Sequence, residues 1–130
     1  MTRSYYVVST LDDRNKSHDF TAGDNWCILT KTDNPIYHEL AKKQQGMERG
    51  DRIALYRPKT KFSSNNMIIL ALGIVVYYDS ITQTVKVDWI RKNMNREVRS
   101  RTCDQVINGP FYEGKEGQEI DNWLGKVFRL

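Results

Sequence analysis

Apolar positions in this chain fall into short runs and alternations bounded by polar turns, with two stretches at helical spacing. Residues 5–9 are aromatic and β-branched and read as a first strand. The polar segment that follows, from Asp12 to His18, has no periodicity and reads as a long loop reaching Trp26. In residues 35–43 Ile36, Leu40 and Tyr37 share one helical stripe, with Asp33 or Asn34 as N-cap, Pro35 in the first turn and Gly46 closing the helix. Residues 47–51 turn into a strand over 52–56, and 58–66 form a polar connection. The longest apolar run, 67–78, suits a central strand with a bulge or bend at Gly73. Residues 79–83 link it to the alternating strand 84–90, which completes a three-stranded meander. Beyond it, 91–101 pair at a sheet edge, 104–107 form a strand or turn, 114–117 a turn, 120–124 a short helix and 125–130 a final strand.

Length sets the next bound: 130 residues make one domain with a modest core. No run is long enough to span a bilayer and no signal peptide precedes the first strand, so a soluble, cytoplasmic protein is expected. The abrupt ending suits a module cut from a longer chain. Two cysteines, Cys27 and Cys103, have neither zinc-ligand spacing nor the density of a disulfide scaffold and read as two partly buried thiols.

Charge sharpens the picture. Twenty Lys and Arg against sixteen Asp and Glu leave a formal charge of +4, with acids toward both ends and the basic residues in the middle. One basic group includes Arg49, Arg52, Arg57, Lys59 and Lys61; a second comprises Arg91, Lys92, Arg96, Arg99 and Arg101. This distribution suits a polyanion, although an ordinary solvated face carries a similar surplus. Catalytic chemistry lacks candidates. The two histidines, His18 and His38, have no metal-ligand partners in spacing, no glycine loop is of the phosphate-cradling kind, and no acid–base pair stands out. The expectation is a binding module with no catalytic residues, metal or cofactor.

Aromatic residues interleave with the basic ones, the combination that stacks bases and neutralises phosphates. Trp89 falls on the same strand face as Val85 and Val87, and Trp123 is at helical spacing from Ile120, so both read as core. Tyr77 and Tyr78 point to opposite faces. Trp26 stands apart, an aromatic in a polar loop, and pattern alone leaves it equally a loop anchor or a binding residue.

Four segments carry a resemblance. Asp24-Asn25-Trp26-Cys27 is similar to the segment that supplies the first aromatic wall of YTH domains. Residues 47–56 resemble the M-x-x-G-D turn of EVE domains, Val85 to Arg91 the strand ending Asp-Trp-Ile in YTH domains, and Glu116-Gly117-Gln118-Glu119-Ile120 after Lys115 the YTH R-D-G-Q-E-I turn. In this order they resemble the PUA-like superfamily, in particular the EVE-like N-terminal domains of McrB-type modification-dependent restriction GTPases. The resemblance implies an α+β fold, a strongly curved mixed sheet or open barrel flanked by short helices. It implies binding of methylated DNA with the modified base flipped into an aromatic pocket, or alternatively methylated RNA, with an AAA+ GTPase motor and a nuclease subunit as partners. The base pocket would be Trp26 as first wall, Tyr77, Tyr78 or Tyr56 as second, and Ser9, Thr10, Asp24 and Asn25 at the base edge. Lys115, Arg91, Lys92, Arg57 and Lys59 would meet phosphates.

Overall fold

Two stretches, 5–8 and 53–56, are apolar at every position, as expected of strands buried on both faces. The computed structural model describes residues 3–10, 19–27, 35–59, 65–100 and 106–130, and for 35–37 the backbone alone. In chain order the elements are β1 (Ser4–Ser9), a 3₁₀ turn (Phe20–Gly23), β2 (Asn25–Trp26), α1 (Pro35–Gln45), β3 (Arg52–Pro58), β4 (Asn66–Asp79), β5 (Thr84–Arg91), β6 (Arg96–Arg99), β7 (Ile107–Tyr112) and α2 (Gln118–Phe128). The two apolar stretches are β1 and β3, paired in parallel at the centre from Tyr5 opposite Arg52 to Ser9 opposite Tyr56. Strand order is β2-β5-β4-β3-β1-β7, with β6 beside the first residues of β4. The fold is mixed α+β, one open seven-stranded sheet with two helices.

Alternation sorts the strands onto two faces. Tyr6, Val8, Ile53 and Leu55 join a first core with Trp26, Val75, Val85, Val87 and Trp89, over which Leu40 of α1 packs. Tyr5, Val7, Ala54 and Tyr56 join a second core, covered by Trp123, Leu124 and Val127 of α2. Burial and the nearby Asp51 charge push the Tyr6 phenol up to about 12. Gly73 sits where β4 and β5 slip register, and a Cβ there would come 2.5 Å from Val87 Cγ1. The glycine therefore lets β5 close over β4.

The sheet is curled, and one side chain measures the curl. Indole Nε1 of Trp26 donates to the Ser9 carbonyl at 3.0 Å. Its strand β2 is four strands away from β1 in the sheet order. On a flat sheet that separation is roughly 19 Å, since neighbouring strands lie about 4.8 Å apart. An indole cannot reach so far, so the first face is concave. Trp26, fully buried, clasps the β2 edge to the end of β1.

Several sequence expectations are corrected. Trp26 lies not in a loop but in β2, opposite Val85. The short helix at 120–124 and the strand at 125–130 are one helix, α2, because Ile120, Trp123, Leu124 and Val127 follow the 3, 4, 7 spacing and exposed Gly125 is accommodated at the cost of some helix propensity. The helix at 35–43 extends to Gln45, closed by Gly46 N–H donating to the Lys42 and Lys43 carbonyls. Its proposed N-cap, His18, Lys61, Arg101 and Cys103 lie outside the described residues. No helix among the described residues is long and apolar enough to cross a membrane.

Candidate functional site

A parallel strand pair aims its carboxyl ends at one place, and in open sheets with parallel strands ligands collect outside such ends. Here β1 and β3 end together, with Thr10 N–H donating to the Tyr56 carbonyl at 2.9 Å. Outside them is a cavity of about 210 Å³. Its apolar side is Leu55 of β3, Leu70 of β4 and Met94; its polar side is Thr10, Asp19, Thr21 and Asn93.

Local irregularities build these walls. Leu55 opposes Ala71 while Tyr56 opposes Ile69, so Leu70 is the extra residue of a bulge. The bulge sets Leu70 on the same side as Ala71, against the first core. Its carbonyl accepts from Met94 N–H at 2.8 Å, pinning the connection between β5 and β6 over the strand ends. Asn93 in that connection has φ 55°, a left-handed conformation that asparagine tolerates better than most residues.

The opposite rim is ordered by Asp19. Its carboxylate accepts from Thr21 Oγ1 at 2.5 Å and Thr21 N–H at 3.1 Å, capping the 3₁₀ turn. The Thr21 hydroxyl bond, with two backbone bonds and the Lys92 charge, holds this carboxyl below its ordinary 3.8. It is ionised at neutral pH and faces solvent. Lys92 Nζ lies 4.0 Å from Asp24 Oδ1.

Of the expected base-pocket residues, Thr10 lines the cavity and Ser9 supplies the carbonyl that holds Trp26. The expected slot between Trp26 and a tyrosine does not form. Trp26 is 0% exposed, and the Phe20 ring packs against it, tilted at 6.1 Å. Tyr56 belongs to the second core, on the other side of the sheet. Tyr78 is on the same face as Trp26, but Val85 stands opposite both, between them. Tyr77 is half exposed opposite Lys86, which also opposes Asn25, so this row lies on the outer surface. Asp24 and Asn25, which precede Trp26, do not line the cavity.

The expected phosphate contacts divide. Arg91, at the end of β5, and Lys92, in the connection that carries Asn93 and Met94, are exposed. Arg57, two residues past Leu55, shares its side of β3. Lys59 instead pairs with Glu97 at 3.0 Å. Lys115 lies away from the cavity: its turn follows Tyr112, which opposes Ser4, six residues before Thr10. At about 3.3 Å per residue that is roughly 20 Å from the cavity. The acids of this turn serve its own backbone, Glu116 accepting from Tyr112 N–H and Asp121 from Gly114 N–H, both at 2.9 Å.

Sequence reading missed Leu55, Leu70, Asp19, Thr21, Asn93 and Met94. The bulge was invisible because Leu70 sits inside an unbroken apolar run. Among the described residues no three His, Cys, Asp or Glu side chains are grouped to hold a metal ion. No family model, curated protein or solved structure matches the chain.

Proposed function

We propose that this chain binds a modified base, extruded from a DNA duplex, in the cavity at the ends of β1 and β3. On this reading the curled open sheet is of the PUA-like, EVE/YTH kind, and any motor or nuclease acts from other domains or subunits. One observation carries the reading: the cavity has an aliphatic wall of Leu55, Leu70 and Met94 facing a polar wall of Thr10, Asp19, Thr21 and Asn93. A nucleobase has the matching chemistry, two apolar faces and a hydrogen-bonding edge, and a methyl substituent adds apolar surface. The volume lies below the about 300 Å³ at which pockets for drug-sized ligands begin, which suits a single heterocycle.

Energetics shape the expected selectivity. Extrusion costs a few kcal/mol, least at a base that already pairs poorly. With Trp26 buried, aliphatic contact and edge hydrogen bonds must return that cost without an aromatic sandwich. A buried methyl contributes about 0.8 kcal/mol. Discrimination by the methyl alone is therefore only about fourfold, and the edge contacts decide which base is held. Asp19, ionised, accepts from an exocyclic amino group, which adenine, cytosine and guanine carry and thymine lacks.

The test is fluorescence anisotropy with duplexes carrying one N6-methyladenine, one 5-methylcytosine or no modification, on the native chain and on Asp19→Ala and Asn93→Gly. Glycine keeps the left-handed backbone at position 93 and removes only the side chain. Loss of a charge-assisted hydrogen bond costs about 1.5–3 kcal/mol, so Asp19→Ala should weaken the preferred duplex by roughly 10- to 100-fold. Equal affinity for all duplexes, or variants that bind as the native chain does, would overturn the proposal. Tighter binding of methylated single-stranded RNA in the same assay would transfer the site to RNA.

A further inference from the structure

On the second face α2 and β6 line a groove of about 520 Å³. Its cationic lining is Arg96 and Arg99 from β6, Lys126 from α2 and Arg129, the residue that caps the end of α2. The sequence brings them together for a local reason. Arg96 donates to the carbonyls of Lys126, Val127 and Arg129, at 3.4, 3.1 and 2.5 Å, so its guanidinium caps the negative end of α2. Trp123 donates its indole N–H to the Arg99 carbonyl at 2.7 Å and fixes the other end of β6 against the helix. Arg99, Lys126 and Arg129 remain exposed, and none of the three forms an ion pair among the described residues. Two acids, Glu97 and Glu119, also line the groove. Glu97 is occupied by Lys59 and Asn66, at 3.0 and 2.6 Å, and Glu119 also has a partner of its own. Partial burial, and then the Arg129 and Arg91 charges, lower the Arg96 pKa, so these cations crowd one another.

We infer that this groove holds the phosphodiester backbone of the nucleic acid whose base enters the cavity, an inference that rests on the function proposed above. Continuity along the chain favours this occupant. Arg91 and Lys92 precede the cavity residues Asn93 and Met94, and Arg96 opens the groove two residues later. A strand held by its base at Met94 thus has the first arginine of the groove two residues along the chain. Arginine suits phosphate oxygens because its fork donates two parallel hydrogen bonds.

The test is the salt dependence of binding by Arg99→Gln/Lys126→Gln/Arg129→Gln, which spares the helix-capping Arg96. Each lost phosphate contact on duplex DNA lowers the slope of log K against log salt by about 0.9. The triple variant should lower it by about 2 to 3 units, weaken modified and unmodified duplexes equally, and leave their affinity ratio unchanged. An unchanged slope with base discrimination intact would overturn the groove and leave the cavity standing. A reduced slope in a chain that never discriminated between bases would overturn the cavity and keep the groove. Displacement of nucleic acid by polyglutamate from the native chain but not from the variant, with no change in slope, would reassign the groove to an acidic protein and overturn this inference.

Discussion

The two faces of the one sheet are closed by different means, and each means leaves a different opening. The second face is covered in the usual way, by an amphipathic helix whose Trp123, Leu124 and Val127 fill the space over β1 and β3. The first face is closed partly by the sheet itself, curled until Trp26 reaches Ser9, with α1 filling the remainder. Helix packing leaves a groove along the helix margin; curling leaves a cavity where the strand ends converge. Both tryptophans donate to a backbone carbonyl, so each is a fold residue before it is anything else.

Truncating those two residues breaks the comparison most severely. Trp26→Ala and Trp123→Ala should each cost about 3–5 kcal/mol, the usual range for a buried tryptophan. Denaturant melts measure the loss, and amide exchange separates the mechanisms. Trp26→Ala should raise exchange at Ser9, Thr10 and β2 together, whereas Trp123→Ala should raise it along α2 and β6. Identical exchange maps would mean that the faces are not closed independently.

A smaller effect sharpens the role of the clasp. Trp26→Phe keeps an aromatic in the core but leaves the Ser9 carbonyl without its donor, costing about 1–3 kcal/mol. Trp89→Phe is the comparison, because the Trp89 indole N–H is buried and has no partner among the described residues. That change should cost under about 1.5 kcal/mol, a packing adjustment alone. Equal losses at the two positions would remove the hydrogen bond from the account.

The smallest expected effect concerns pH. A folded carboxyl held below its unfolded value contributes stability that is present above the unfolded pKa and fades as pH falls through the folded one. Asp19 is such a group and is exposed, so its contribution to stability is slight. Its effect on binding should be clearer: affinity flat between roughly pH 8 and 5, then weakening below its ordinary value of 3.8 as the acceptor protonates. A carbon-detected carboxyl titration alongside binding checks both. A midpoint near neutrality would assign the pH response to another group.

Strand periodicity placed β1, β3, β4 and β5 within a residue or two, since alternation and β-branching are local signals. The α2 misreading arose where Gly125 and the β-branched Val127 suggested a strand while the apolar spacing favoured a helix, and packing over the second core resolved the conflict. Trp26 was misjudged for a different reason: its two-residue strand is too short to leave a period, and its partner Ser9 is 17 residues away. The cavity was legible only at Thr10. Its remaining residues come from four segments, brought together by a bulge, a left-handed asparagine and the curl.

Residue order alone determined that this chain is β-rich, with two helical stretches and a basic middle. Those properties depend on neighbours two to four residues apart. Tertiary structure decided which tryptophan is buried, which tyrosines share a face, where the strand ends converge and which arginines line one groove. Such outcomes depend on register and curvature, where a shift of one residue reverses the face a side chain occupies.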